Sequence, residues 1–143
     1  MLDEITKRRI NSLRDILVGV LPDPKAQIEQ ITNALIYKFM NDLDEQSVIN
    51  GGKVTFFSGE YEKYSWKNLM DSKTTGLERV KLYRDALESF YLNPNLSPLF
   101  REIFKNSTIP FNNPQMLNMF MGTINEFHYS HSEKLGDAFE YLL

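Results

Sequence analysis

The segment from Pro24 to Leu43, PKAQIEQITNALIYKFMNDL, is the longest uninterrupted amphipathic run in the chain and sets what the chain can fold into. Its apolar residues Ile28, Ile31, Leu35, Phe39 and Leu43 recur at steps of three and four, and Ala34, Ile36 and Met40 widen the stripe. Such a stripe needs a core to face. Asp23 stands where an N-cap belongs, and Pro24 takes the first helical position, where its missing N–H leaves no bond unmade. At about 1.5 Å per residue the helix is roughly 30 Å long, enough to cross a small domain. The 143 residues, 42% of them hydrophobic, suffice for one core, so a single helical domain over residues 1–143 is expected.

From Leu2 to Val18 the residues Ile5, Ile10, Leu13, Ile16 and Leu17 approximate helical spacing, with Lys7, Arg8, Arg9, Asn11 and Arg14 on the other face. A first helix ending near Gly19 follows. The second helix is expected to stop near Leu43, because Asp44, Glu45, Gln46 and Ser47 bring no further apolar stripe. Residues 46–60 read as an irregular loop with at most a small hairpin. Asn50-Gly51-Gly52 is a turn signal, and Lys53 to Phe57 has the β-branched and aromatic content of a short strand. Ser65 caps a short helix that carries Trp66, Leu69 and Met70 toward the core.

Thr75-Gly76-Leu77-Glu78 fits a capping box, opening a helix that Leu77, Val80, Tyr83, Leu87 and Phe90 continue to about Tyr91, before Asn93-Pro94-Asn95 closes it. Ser97-Pro98 and Asn113-Pro114 each place a capping side chain before a first-turn proline. They predict a short helix over Leu99–Phe104 and a longer one over Gln115–Phe127. The longer one is apolar nearly all round, as a buried or interfacial helix would be. Ser132 caps a last helix with Leu135, Ala138, Phe139, Leu142 and Leu143 on its inner face. Its apolar pattern is still running at Leu143, so the chain is expected to be cut from something longer. The sum is an all-α fold, a compact bundle of about six to seven helices.

Charge and composition narrow the chemistry. With 19 acidic against 16 basic residues the net charge is −3, so no overall basic excess points to nucleic acid. Lys7, Arg8 and Arg9 with Arg14 form a small basic strip on the first helix, able to neutralise a few phosphates; an ordinary solvated face is the competing reading. The absence of cysteine removes disulfides, thiolate metal sites and a cysteine nucleophile together. The longest apolar run, Ile16 to Leu21, is far shorter than a membrane span, and a cytoplasmic location is expected. His128 and His131 have a spacing found at zinc sites, but neither cysteine nor a nearby carboxylate pair completes one. Asp42, Asp44 and Glu45 read as solvated carboxylates rather than an acid and base pair. Gly51-Gly52 lacks the strand, third glycine and helix start of a phosphate cradle. No stretch contains a recognisable catalytic constellation.

Two segments carry a family likeness. Ala34-Leu35-Ile36-Tyr37-Lys38-Phe39-Met40-Asn41-Asp42-Leu43-Asp44-Glu45 resembles a helix of the modification subunits of type I restriction systems, an aliphatic and aromatic run closing on a lysine, an aromatic and an acidic end. Ser132-Glu133-Lys134-Leu135-Gly136-Asp137-Ala138-Phe139-Glu140-Tyr141-Leu142-Leu143 resembles the family's Leu-Gly-Asp-aromatic-Glu-Tyr-Leu-Leu segment, which leads into the methyltransferase domain. Between them, Tyr64-Ser65-Trp66 and Asn93-Pro94-Asn95-Leu96 sit where such subunits show a tryptophan before a short helix and an Asn-Pro-x-Leu break.

The resemblance implies the N-terminal helical domain of an adenine-specific N6 DNA methyltransferase subunit. That family works with a specificity subunit, a second modification subunit and, where restriction accompanies modification, a restriction subunit. Its catalytic domain binds S-adenosylmethionine through a glycine-containing loop and presents a flipped adenine to an Asn-Pro-Pro-aromatic motif. Neither motif occurs in these 143 residues. The resemblance therefore carries no catalytic, cofactor or metal residue onto this chain, and leaves it the task of helping to enclose DNA and assemble the subunits. The alternative is a free-standing helical module that binds a protein through the Met-rich helix and has no DNA role.

Overall fold

The computed structural model describes residues 4–105, 107, 109–111 and 113–127. Among these, six α-helices and one 3₁₀ segment form an all-α bundle with no strand. The helices are α1 (Glu4–Val18), α2 (Pro24–Ile49), α3 (Trp66–Leu69), α4 (Gly76–Leu92), α5 (Pro98–Ile103) and α6 (Pro114–Asn125), and the 3₁₀ segment Gly59–Tyr64 precedes α3. The expected last helix from Ser132, and His128 and His131, lie outside the described residues.

The caps read from the sequence set most helix starts. Asp23, Ser65, Ser97 and Asn113 each accept a backbone N–H of the helix they precede, and Pro24, Pro98 and Pro114 occupy first-turn positions. The Glu78 carboxylate accepts the Thr75 N–H at 3.4 Å, closing the capping box of α4. The starts of α4 and α6 also touch. A Cβ on Gly76 would lie 2.8 Å from the Pro114 Cβ, so only glycine fits there.

Helix α2 is the axis of the bundle. Every residue from Asn33 to Asn41 is buried, against α1, α3 and α6. The ring of Tyr37 meets Trp66 and Phe90 edge-on at 5.2 and 4.8 Å, and stacks on Tyr83 at 6.1 Å. Around this centre α1 contributes Ile10, Leu13 and Leu17, α4 contributes Val80, Ala86 and Leu87, and α6 contributes Leu117, Phe120, Met121 and Ile124. Helix α6, apolar nearly all round in sequence, is buried on one face only, with Met119 exposed on another. Leu43, Ile5 and Leu77, expected in the core, are exposed as well.

The largest departure from expectation is the end of α2, which runs six residues past Leu43 to Ile49. Asn50-Gly51-Gly52 is the stop, and it is a helix cap rather than a hairpin turn. Gly51 takes φ 87°, its N–H donates to the Val48 carbonyl at 3.0 Å, and the Gly52 N–H donates to the Ser47 carbonyl at 2.8 Å. This is the paired bonding of a Schellman motif, which a left-handed glycine makes accessible. Residues 50–58 then form the irregular loop, and neither hairpin nor strand appears in it.

Arg79 joins three pieces of chain without any carboxylate. Its guanidinium donates to the carbonyls of Leu69, Asp71 and Thr74 and to Asn118 Oδ1, at 2.8–3.1 Å. The end of α3, the following turn and α6 are thereby fastened to α4.

Two buried phenols differ in one respect. The Tyr37 hydroxyl donates to the Tyr64 carbonyl, whereas the Tyr83 hydroxyl is buried with no hydrogen-bond partner among the described residues. Tyr83→Phe is therefore expected to be neutral or stabilising, and Tyr37→Phe to destabilise by about 1 kcal/mol in urea unfolding. Burial pushes both phenols up from the ordinary range. The unfolded chain gives up these protons above about pH 10 while the native chain keeps them, so stability is full below that pH and falls as pH rises toward the native values. Tyr83→Phe should blunt this alkaline loss, measured as unfolding free energy against pH.

Candidate functional site

The last two turns of α2 rise past the apolar core, and Asp44 is what they are anchored by. It stands seven residues from Tyr37, on the same side of the helix, and is buried. Its Oδ1 accepts the N–H of Thr55 at 2.9 Å and of Phe56 at 3.1 Å; its Oδ2 accepts Phe56 at 3.1 Å and Phe57 at 2.9 Å. Three successive backbone amides thus converge on one carboxylate and satisfy its charge. The loop they belong to is held against α2, and Phe57 is delivered into the core beside Tyr37 at 5.8 Å.

Further polar ties fix the other side of the loop. Asn93, fully buried after α4, donates through Nδ2 to the Phe56 carbonyl at 3.0 Å and accepts the Asn95 N–H at 2.9 Å. The Asn95 amide reaches Ser58 Oγ at 3.2 Å. Asn41 accepts the Lys67 N–H at 3.2 Å, holding the first turn of α3, while Trp66 donates to Asn125 Oδ1 at 2.9 Å and ties α3 to α6.

These ties leave an open groove of ≈ 520 Å³ between α2 and the 59–68 segment. Asn41, Glu45, Val48 and Ile49 line it from α2; Val54, Glu62 and Lys67 line it from the facing chain. Val48, Ile49 and Val54 are 51%, 76% and 38% exposed. The last turn of α2 holds no basic residue, and Glu45 and Glu62 make no ion pair among the described residues. Carbonyl ends of helices carry partial negative charge, so the groove is apolar at its walls and electronegative at its rim.

The carboxylates on α2 do not form a catalytic pair. Asp42 is held by Lys38 Nζ, 2.8 Å from each oxygen, and Asp44 is saturated by backbone N–H groups; Glu45 stands in solvent. No group of three metal-ligating His, Cys, Asp or Glu side chains occurs among the described residues. None of their helices is long and apolar enough to cross a membrane.

The basic residues of α1 are spread around the helix. At about 100° per residue, Arg8 points away from the Ile10, Leu13 and Leu17 face, Arg9 flanks that face on one side, and Lys7 and Arg14 flank it on the other. Arg9 Nε lies 3.3 Å from Glu126 Oε2 and so joins α1 to the end of α6, while Arg8 is exposed. Sequence reasoning missed the groove, because its α2 wall was expected to be loop. The signal lay in Gly51-Gly52, which follows Val48 and Ile49 at helix-cap spacing. Compared with family models, curated proteins and solved structures, the chain finds no match.

The anchoring role of Asp44 is open to direct measurement. Asp44→Ala should destabilise the fold by about 3 kcal/mol and Asp44→Asn by about 2 kcal/mol, since an amide turns donors toward donors. Amide exchange at Thr55, Phe56 and Phe57 should quicken in both variants; unchanged exchange there would refute the anchor.

Proposed function

We propose that this chain is the N-terminal helical domain of the modification subunit of a type I restriction-modification system, an assembly module that is non-catalytic by itself. One observation carries the reading. The described segments that resemble the family hold the fold together, which is the part a scaffold domain must keep. Ala34–Glu45 supplies the buried axis, the Lys38–Asp42 pair and the Asp44 anchor. Tyr64-Ser65-Trp66 supplies the acceptor for Tyr37, the cap of α3 and the indole that bonds Asn125. Asn93-Pro94-Asn95-Leu96 supplies the buried Asn93 clasp on the loop.

In this reading the parent protein is a cytoplasmic, S-adenosylmethionine-dependent adenine-N6 DNA methyltransferase. The domain helps enclose the duplex and meets the specificity subunit, the second modification subunit and, where one is present, the restriction subunit. Extruding a base into a closed pocket requires the duplex to be held, and a helical domain can do this without touching the reacting atom. DNA phosphates are met by α1, through Lys7, Arg8, Arg9 and Arg14; Arg8 is the exposed one of the four, and each of the other three also has an interaction within the chain.

The reading frame beyond the codon for Leu143 is expected to encode the S-adenosylmethionine loop and an Asn-Pro-Pro-aromatic motif; their absence would end the proposal. In the assembled enzyme, Arg8→Glu should weaken duplex binding and lower the slope of log K against log salt by about 1, one phosphate contact's worth. An unchanged slope would remove α1 from the DNA interface. Arg9 is unsuited to this test, because its reversal sets a carboxylate against Glu126.

A further inference from the structure

We infer that the groove between the end of α2 and the 59–68 segment docks a segment of another protein in which an aliphatic or aromatic side chain stands beside a lysine or arginine. Three features point to such an occupant.

The first is the pair Val48 and Ile49. Both are β-branched, a poor choice for a helix, and both are exposed in its final turn, where the fold itself asks for neither apolar nor branched side chains. With Val54 across the groove they give it apolar side chains on both sides, and all three are exposed among the described residues. The second is charge. The C-terminal turn of a 26-residue helix lacks a basic residue, and Glu45 and Glu62 stand at the rim without ion pairs among the described residues. Lys67 is the one cation among the lining residues. The groove therefore repels a nucleic-acid backbone and attracts a cationic side chain. The third is Asn41, 6% exposed, whose Oδ1 is taken by the Lys67 N–H. Its amide makes no donor bond among the described residues, so a peptide carbonyl lying in the groove can accept from it.

The groove is also preformed. Asp44 fixes its loop wall, and Asn41, Ser65 and the Asn68 bond to the Glu62 carbonyl at 2.9 Å fix the opposite one. A partner pays little to order it. This surface does not depend on the methyltransferase reading, since any protein partner of this chemistry suffices, and its failure would leave that reading standing.

The test is selection of random-peptide phage on the full chain, followed by titration of the enriched peptides. The expected consensus joins Leu, Ile, Phe or Trp to Lys or Arg. Binding should fall about tenfold or more in Glu62→Lys and in Ile49→Asp, and remain at the wild-type level in Met119→Asp, an exposed apolar position outside the groove. Glu45→Lys separates docking from folding. It should weaken binding while holding or raising the melting temperature, because it sets a cation near the end of α2. Failure to enrich peptides, an acidic consensus, or binding indifferent to these variants would overturn the inference. So would a concentration-dependent dimer abolished by Ile49→Asp, which would assign the groove to a second copy of the chain.

Discussion

The carboxylate of Asp44, enclosed by the N–H groups of Thr55, Phe56 and Phe57, lets a helix go on burying one side after its apolar stripe has run out. Up to Met40 that side of α2 is covered by side chains from α1, α3, α4 and α6. Past Met40 it is covered by backbone. A loop can lie against a helix only if its amides find acceptors, and one buried carboxylate offers enough lone pairs to satisfy three. Phe57 is brought to Tyr37 by the same contact, so the polar anchor and the aromatic centre of the bundle stabilise each other.

The same logic recurs wherever chain without regular structure crosses the bundle. Arg79 collects the carbonyls after α3, Asn93 fastens the loop to the end of α4, and Trp66 holds α3 to α6 through Asn125. Arg79 and Asn93 each answer several backbone or amide groups at once, and Trp66 answers one. Net stabilisation from one such bond is modest, about 1 kcal/mol, but leaving its buried partner unmet costs more. These residues therefore act by making irregular segments compatible with burial, and the aromatic cluster around Tyr37 supplies the apolar contact that the burial gains.

This division explains what the sequence disclosed. Helix starts were legible because a cap is a local device: Asp23-Pro24, Ser97-Pro98 and Asn113-Pro114 carry their geometry in adjacent residues. The core of α2 was legible because its period is written in apolar side chains. Its end was not, because Asp44 occupies a core-facing position and reads, in a linear sequence, as the polar residue that ends a stripe. Only its distance of eleven to thirteen residues from the amides it binds distinguishes the two meanings, and no local pattern reports that. Asn93 and Arg79 were opaque for the same reason. The basic strip of α1 was legible as composition but not as a surface, since helical rotation sends Arg9 to Glu126 and Arg8 to solvent.

The groove follows from the lengthened helix. Had α2 stopped at Leu43, Val48 and Ile49 would belong to a loop and Glu45 would have no wall to stand on. Extended, the helix projects two apolar side chains and a C-terminal turn without a basic residue on the groove that Glu62 also lines, which makes it a poor neighbour for phosphate. The carboxylates that might have suggested catalysis are consumed in holding this projection: Asp42 by Lys38, Asp44 by the loop. What remains at the surface is suited to recognition. The exposed Arg8 of α1 and the Glu45 and Glu62 rim of the groove carry charges of opposite sign, so the two surfaces favour ligands of opposite charge.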